Sequence, residues 1–192
     1  MPTRSDEVLD FWFEHEDEPG YGEFREAWFR KDDDFDREVR DRFESLYEEA
    51  ASGGLDDWRE EARSSLALVI LLDQFPRNMF RGDPQTHATD EKALETARYA
   101  VDHALDRELP VFQRQFLYMP LMHSEDLEDQ RRSIELFELL AAEPGAADMT
   151  SYAVGHMKIV ERFGRFPHRN DILGRRTTSE EAEFLAQPDS SF

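Results

Sequence analysis

At 192 residues the chain has the length of one domain, expected to span residues 1–192 and to bury about 70% of the surface its extended form would expose. Its 44 acidic residues against 23 basic ones give a net charge of −21, which argues against nucleic acid as a partner because a polyanion calls for a basic footprint. With no cysteine there is no disulfide, no thiolate nucleophile and no Cys-ligated metal, so stability has to come from packing.

Twenty of the 23 basic residues are arginine, and only Lys31, Lys92 and Lys158 are lysine. This is the balance expected of a protein working in molar salt, where a Debye length of about 3 Å screens a dense carboxylate surface. The rival reading is a mesophilic acidic interaction protein. The opening MPTRSDEVLDFW lacks the basic and apolar regions of a signal peptide. No window approaches the run of about 18 apolar residues that a membrane span needs, so a cytoplasmic protein without membrane contact is expected.

In chain order, Thr3 or Ser5 can cap a first helix presenting Val8, Leu9 and Trp12. Pro19 and Gly20 mark a turn, and Phe24, Ala27 and Trp28 suggest a short helical piece. The Asp32-Asp33-Asp34 run can cap a longer helix, in which Phe35, Val39, Phe43, Leu46, Tyr47 and Ala50 draw one apolar stripe until Gly53-Gly54 stops it. A helix capped by Asp56 or Asp57 then begins amphipathically at Trp58 and Ala62. It becomes apolar all round from Leu66 to Leu72, as a helix buried on every side does, and ends in the polar run Asp73 to Asn78.

The next helix is expected from about Asp90 to Arg107, with a stripe of small residues that lets helices approach closely. Pro110 reads as the first position of another helix, which Pro120 kinks or ends. Ser124 can cap a helix opening with Glu125 and Asp126 and closing at Pro144-Gly145. The following helix carries Tyr152, His156, Ile159 and Phe163 on one face and stops at Gly164. Thr178 with Glu181 makes a capping box for a short last helix. No stretch alternates with period two for long. The expected fold is all-α, a compact stack of about eight helices in antiparallel pairs.

Polar groups concentrate in three segments near helix ends: Asp73 to Asn78, His123 to Asp126, and His156 to Asn170. Arg162 to Arg176 alone holds five arginines and His168. A short echo, Phe75-Pro76-Arg77-Asn78 against Phe166-Pro167-His168-Arg169-Asn170, follows a core helix in both places, and the two segments could meet. One reading is a shared pocket in which Arg77, Arg165 and Arg169 grip an anion while His123 and His156 supply neutral donors or move protons. Asp73, Gln74, Asn78, Ser124, Glu125, Arg162, His168 and Asn170 would complete its wall. The other is cement: the arginines pair with Asp73, Glu125 and Glu161 and tie helix ends together.

His156 lies on an apolar stripe and is expected to point inward. There is no HExxH, EF-hand loop or cysteine pair, so no metal is expected, and without a P-loop or GxSxG no cofactor is expected either.

The chain resembles the domain-of-unknown-function 924 family in Val8-Leu9-Asp10-Phe11-Trp12-Phe13, in Leu72 to Asn78, in Tyr118 and Pro120 to Asp126, and in Arg162 to Asn170 with Leu173-Gly174-Arg175 and Thr178. These segments span nearly the whole chain. The salt-adapted composition points to a haloarchaeal member. The resemblance implies a tetratricopeptide-like helical fold and makes the three polar segments one family pattern, but it implies no activity. Function is therefore left as a choice. The first reading is a binding module for a small anion or peptide carboxylate. The alternatives are a cofactor-free hydrolase or lyase with a His base and an Arg clamp, and a structural interaction protein.

Overall fold

A computed structural model describes residues 2–188 and 190, and among these every regular element is helical. Helix α1, Arg4–Phe13, starts at Thr3, whose side chain accepts the Asp6 N–H while the Asp6 carboxylate takes the Thr3 N–H. After a 3-10 turn at Glu26–Trp28, Asp32 caps α2, Asp33–Ala51, through two N–H groups. The predicted stripe on α2 is buried at Phe35, Val39, Phe43, Tyr47 and Ala50. Gly53, at φ +89°, turns the chain out of it, a backbone angle that a side chain would strain.

The buried helix departs from expectation at both ends. Asp56 and Asp57 do not cap it; they lie in a separate 3-10 turn, Asp56–Glu60, and helix α3 runs from Ala62 to Val69. Nor does the helix stop at Asp73. It passes through a π turn, Ile70–Gln74, into a further helical segment, α4, Phe75–Met79. Every residue from Leu66 to Leu72 is at most 2% exposed, so this rod is the axis of the molecule. Helices α1, α2, α5 and α6 all contact some part of it.

Helix α5, Asp90–Asp102, is shorter than its apolar pattern suggested. Ala104 takes a left-handed conformation, φ 58°, and Leu105–Glu108 form a separate 3-10 turn. Helix α6, Val111–His123, runs straight through Pro120, which neither ends it nor opens it to solvent. Asp126, not Ser124, caps α7, Leu127–Ala141, because its carboxylate reaches the N–H groups of Glu128 and Asp129. Helix α8, Thr150–Phe163, ends at Gly164 in the left-handed region, and Tyr152 on it is exposed instead of facing the core. The Thr178–Glu181 capping box opens α9, Ser179–Leu185, as expected. With α3 and α4 taken as one rod, eight helices are present among the described residues.

Consecutive helices pack on one another along α5, α6, α7 and α8. One continuous core, from Val8 in α1 to Ala153 in α8, holds them together. It is aromatic at the α1 end, where Phe11 stacks on Phe35 and Trp12 on Trp28, and Phe75 and Phe116 meet Phe11, Trp12 and Phe13 edge-on. A smaller cluster of Ile159, Val160 and Phe166 seats the arginine-rich segment on α8. No described helix is long and apolar enough to cross a membrane.

Candidate functional site

The site begins with a proline. Pro76 has no N–H to give the Leu72 carbonyl, and its ring would collide with that carbonyl in a regular helix. The ladder widens by one residue, so that the Phe75 N–H bonds to the Ile70 carbonyl instead. The stranded Leu72 carbonyl is satisfied from outside, by the Thr89 hydroxyl at 2.6 Å. Such π turns recur at functional sites because they re-aim side chains out of a regular helix. This one carries Asp73, a carboxylate with 0% exposure in the middle of the apolar rod.

Asp73 Oδ1 lies 2.7 Å from His123 Nδ1, at the end of α6, and 3.3 Å from Arg77 Nη2 one turn further along its own helix. Arg77 also donates to the Asp73 backbone carbonyl and reaches Asp90 Oδ1 at 3.2 Å. Asp90, the first residue of α5, bonds with its other oxygen to His87 Nδ1 at 3.0 Å. That same oxygen stands 3.6 Å from Nη1 of Arg169. The two echo segments thus meet, Arg77 of the first and Arg169 of the second facing one carboxylate. His156 closes the back, its ring 6.2 Å from His123 and 5.5 Å from Phe166, over which the Arg169 guanidinium lies at 4.5 Å.

Burial pushes Asp73 towards its neutral form, but the charge of Arg77 and then the contact with His123 outweigh it, and the carboxyl stays below its ordinary range. An ionised Asp73 at 2.7 Å requires a proton on His123 Nδ1, since two bare acceptors repel at that distance. Burial also holds His123 below the usual imidazole value; Asp73 opposes this and Arg77 adds to it. The ring is therefore neutral at pH 7, with its lone pair on Nε2. Burial takes His156 down to about 3, helped by His123, and His168 to about 4, helped by Arg169. It takes Arg169 down to about 10 against the pull of Asp90. Asp73 and Asp90 thus balance Arg77 and Arg169.

The remaining predicted site residues lie elsewhere or serve as supports. Gln74 bonds to the Asp73 carboxylate and to Met119 Sδ at 3.4 Å, and Asn78 donates to Asp36 on α2 at 2.8 Å. The Ser124 hydroxyl donates to Asp129 at 2.7 Å, a carboxylate also held by the Arg98 fork. Arg165 does not join Arg77 and Arg169; both its Nε and Nη2 go to Glu181 on α9, at 2.7 and 2.9 Å. Arg162 pairs with Glu180, so these two arginines use acids of α9 and not the expected Glu161.

Glu125 accepts the Phe166 N–H at 2.8 Å and a two-pronged contact from Arg175, whose Nε is held at 3.0 Å by the buried Asn170. Burial raises the Glu125 carboxyl, but Arg175 and the Phe166 N–H hold it below its usual value. Asp90, His87 and Arg175 were not predicted as site residues. Asp90 read only as a helix-starting acid, and the His87–Asp90 spacing of three was the one local hint.

Two surface depressions lie apart from the cluster. One, of about 480 Å³, is walled by Val101, Leu136, Leu140 and Tyr118, but its polar groups are already matched, Tyr118 to Asp106 at 2.6 Å and Arg114 to Glu143 at 2.6 Å. The other, of about 390 Å³, lies between α1 and α3. Among the described residues no three of His, Asp and Glu are grouped to hold a metal ion.

A rod interrupted by a proline-driven π turn, with a charge-balanced Asp, His and Arg cluster at the break, defines a class of helical protein with a buried polar centre. The chain belongs to the family described as bacterial protein of unknown function (DUF924), whose profile matches residues 8–189. It is similar to a solved structure of a protein of unknown function, ATU0120, from Agrobacterium tumefaciens. The two share 41% sequence identity and superpose with a TM-score of 0.83 over 95% of this chain and 96% of that one. No curated protein matches the chain.

Proposed function

We propose that the chain binds a small carboxylate-bearing molecule at this centre, with Arg169 as the principal grip and Arg77 and His123 beside it. The observation that supports the reading is the state of Arg169. Its side chain is 9% exposed, its Nε has no hydrogen-bond partner, and its facing carboxylate on Asp90 stands beyond hydrogen-bonding reach of Nη1. Leaving a buried donor unmatched costs about 1–3 kcal/mol. A planar fork whose Nε is unmatched and whose Nη1 stands off its carboxylate fits a bound carboxylate through two parallel bonds, and the Phe166 ring lies under it. A free peptide carboxylate offers the same chemistry.

Calorimetry and thermal denaturation with glutarate, and with a short peptide carrying either a free or an amidated C-terminus, test the reading. Glutarate is expected to raise the melting temperature saturably. Arg169→Lys keeps the charge opposite Asp90 but loses the fork, and is expected to weaken binding about tenfold or more, the loss of one charge-assisted bond. A melting temperature indifferent to every carboxylate, or an Arg169→Lys protein that binds as well as the parent, ends the reading. The acidic coat supports a setting in the cytoplasm of a salt-rich cell. A denaturation midpoint that falls on going from low to molar KCl would contradict it.

A further inference from the structure

We propose that this centre is also a hydrolytic one, in which His123 Nε2 is the general base that activates water against the ester of a small carboxylate-bearing molecule, and Asp73 is the positioning residue behind it. The proposal rests on the carboxylate site just described, because Arg169 is what holds the substrate.

The geometry divides the two faces of the imidazole. Nδ1 is on the buried side, 2.7 Å from a carboxylate that has no exposure at all, whereas the side chain as a whole keeps 15% of its surface. Nε2 is the ring nitrogen that Asp73 leaves for a reacting group. Asp73 cannot rotate away: it sits on the π turn that Pro76 imposes, and Gln74 and Arg77 hold its carboxylate from two further directions. A buried carboxylate that fixes the Nδ1–H tautomer and stabilises the imidazolium formed in the reaction is the arrangement that makes a histidine an effective base in hydrolases. His87 also has a carboxylate on Nδ1, but Asp90 is 21% exposed and is shared with Arg77 and Arg169, and His156 has none there. His156 gives Nδ1 to the Tyr152 carbonyl of its own helix at 2.8 Å, is 5% exposed, and forms the wall behind His123.

The charges at the centre are balanced, Asp73 and Asp90 against Arg77 and Arg169, so hydrolysis has to place its one new negative charge near a guanidinium. Arg77 Nη2 lies 3.2 Å from His123 Nδ1, on the Asp73 side of the ring, and Arg169 is the second cation at the centre. In the step itself the water oxygen bonds to the ester carbonyl carbon as its proton passes to His123 Nε2, and the carbonyl pair moves onto oxygen. When the tetrahedral species collapses, the bond to the alcohol oxygen breaks, and that oxygen takes the proton back from Nε2. The products are an acid and an alcohol; no oxidant, reductant or cofactor enters.

The test uses the full chain with the mono-p-nitrophenyl ester of glutaric acid, with p-nitrophenyl acetate as the neutral control and glutarate as the binding probe. The parent is expected to release nitrophenolate well above buffer and to prefer the glutaryl ester by tenfold or more in kcat/KM. His123→Gln should lower kcat by roughly 10²- to 10⁴-fold while glutarate, gripped chiefly by Arg169, still raises the melting temperature, by less than in the parent. Asp73→Asn should lower kcat with little change in KM. Since that variant risks misfolding, nitrogen NMR of the folded parent gives a second reading: His123 should show a protonated Nδ1 and a bare Nε2. A bare Nδ1, or a parent no faster than His123→Gln while glutarate binds, overturns the catalytic proposal and leaves the binding reading standing. Cleavage that depends on His123 but ignores the carboxylate, with no glutarate binding, overturns the part of the proposal that rests on Arg169 and the binding reading with it.

Discussion

The arginine-rich stretch from Arg162 to Arg176 splits into two regions that use the same residue types to opposite ends. In the outer region Arg162, Arg165 and Arg175 are each matched by a carboxylate, and Arg165 and Arg175 by two-pronged contacts that leave little donor capacity unused. In the inner region Arg169 shares Asp90 with Arg77 and His87, and its Nε is left over. The outer pairs join the last helix to α8 and its following loop, and the 164–176 loop to the link between α6 and α7. The inner cluster links Arg169 to α5 and the rod to α6, and it keeps one cation incompletely matched beside the His123 imidazole. Saturated pairing is what cement requires; incomplete pairing under burial is what a site retains at a cost in stability.

The contrast can be broken from either side. The largest expected effect on stability is in the outer region. Glu125→Ala takes the carboxylate from Arg175, which keeps only Asn170 and the Phe166 carbonyl, and the acceptor from the Phe166 N–H, and should cost about 2–3 kcal/mol of unfolding free energy by chemical denaturation. Its affinity for glutarate should stay close to the parent's; a selective loss of affinity would merge the two regions into one site.

The next effect is on pH. Burial first, then His123, puts His156 at about 3 in the fold against about 6.5 for an unfolded histidine, with His168 and Arg169 also pressing it down. The unfolded chain therefore binds the proton more readily, so this contribution is whole above about pH 6.5 and is lost as pH falls towards 3. At pH 5 the loss from His156 is about 2 kcal/mol relative to pH 7. Denaturation of the parent and of His156→Gln at both pH values should show a correspondingly flatter response in the variant, and equal slopes would place the acid sensitivity elsewhere.

A smaller effect sharpens the comparison most. Arg169→Met keeps length and apolar contact with Phe166 while removing a poorly matched buried cation. Its stability should lie within about 1 kcal/mol of the parent, on either side, and carboxylate binding should vanish. A loss of several kcal/mol would make Arg169 cement like its neighbours. The smallest expected effect is from Arg165→Ala, which should leave glutarate affinity unchanged because that guanidinium is committed to Glu181 and the Arg176 carbonyl.

Much of the helical framework was legible because its signals are local. The α2 stripe, the caps at Thr3, Asp32 and Thr178, and the all-round apolar run of α3 each depend on residues within a few positions of one another. The misplaced boundaries were of another kind. Asp56, Asp57 and Ser124 have the right chemistry for caps, but Ser124 is drawn to Asp129, and the two aspartates belong to a separate turn. Leu105 continues the apolar pattern of α5, yet Ala104 takes a left-handed conformation against the helix propensity of alanine.

By itself the sequence determined an all-helical chain with a fully apolar central rod, an acidic surface, and three polar segments at helix ends, since periodicity, charge and capping are properties of short windows. Which of those polar groups meet was decided only by tertiary structure. Arg77 and Arg169 are far apart along the chain and converge on Asp90, which no window could single out. Arg165, only four residues from Arg169, turns to another helix. Pairing among interchangeable carboxylates and arginines depends on distance, burial and the direction of each side chain, and these exist only once the helices have packed.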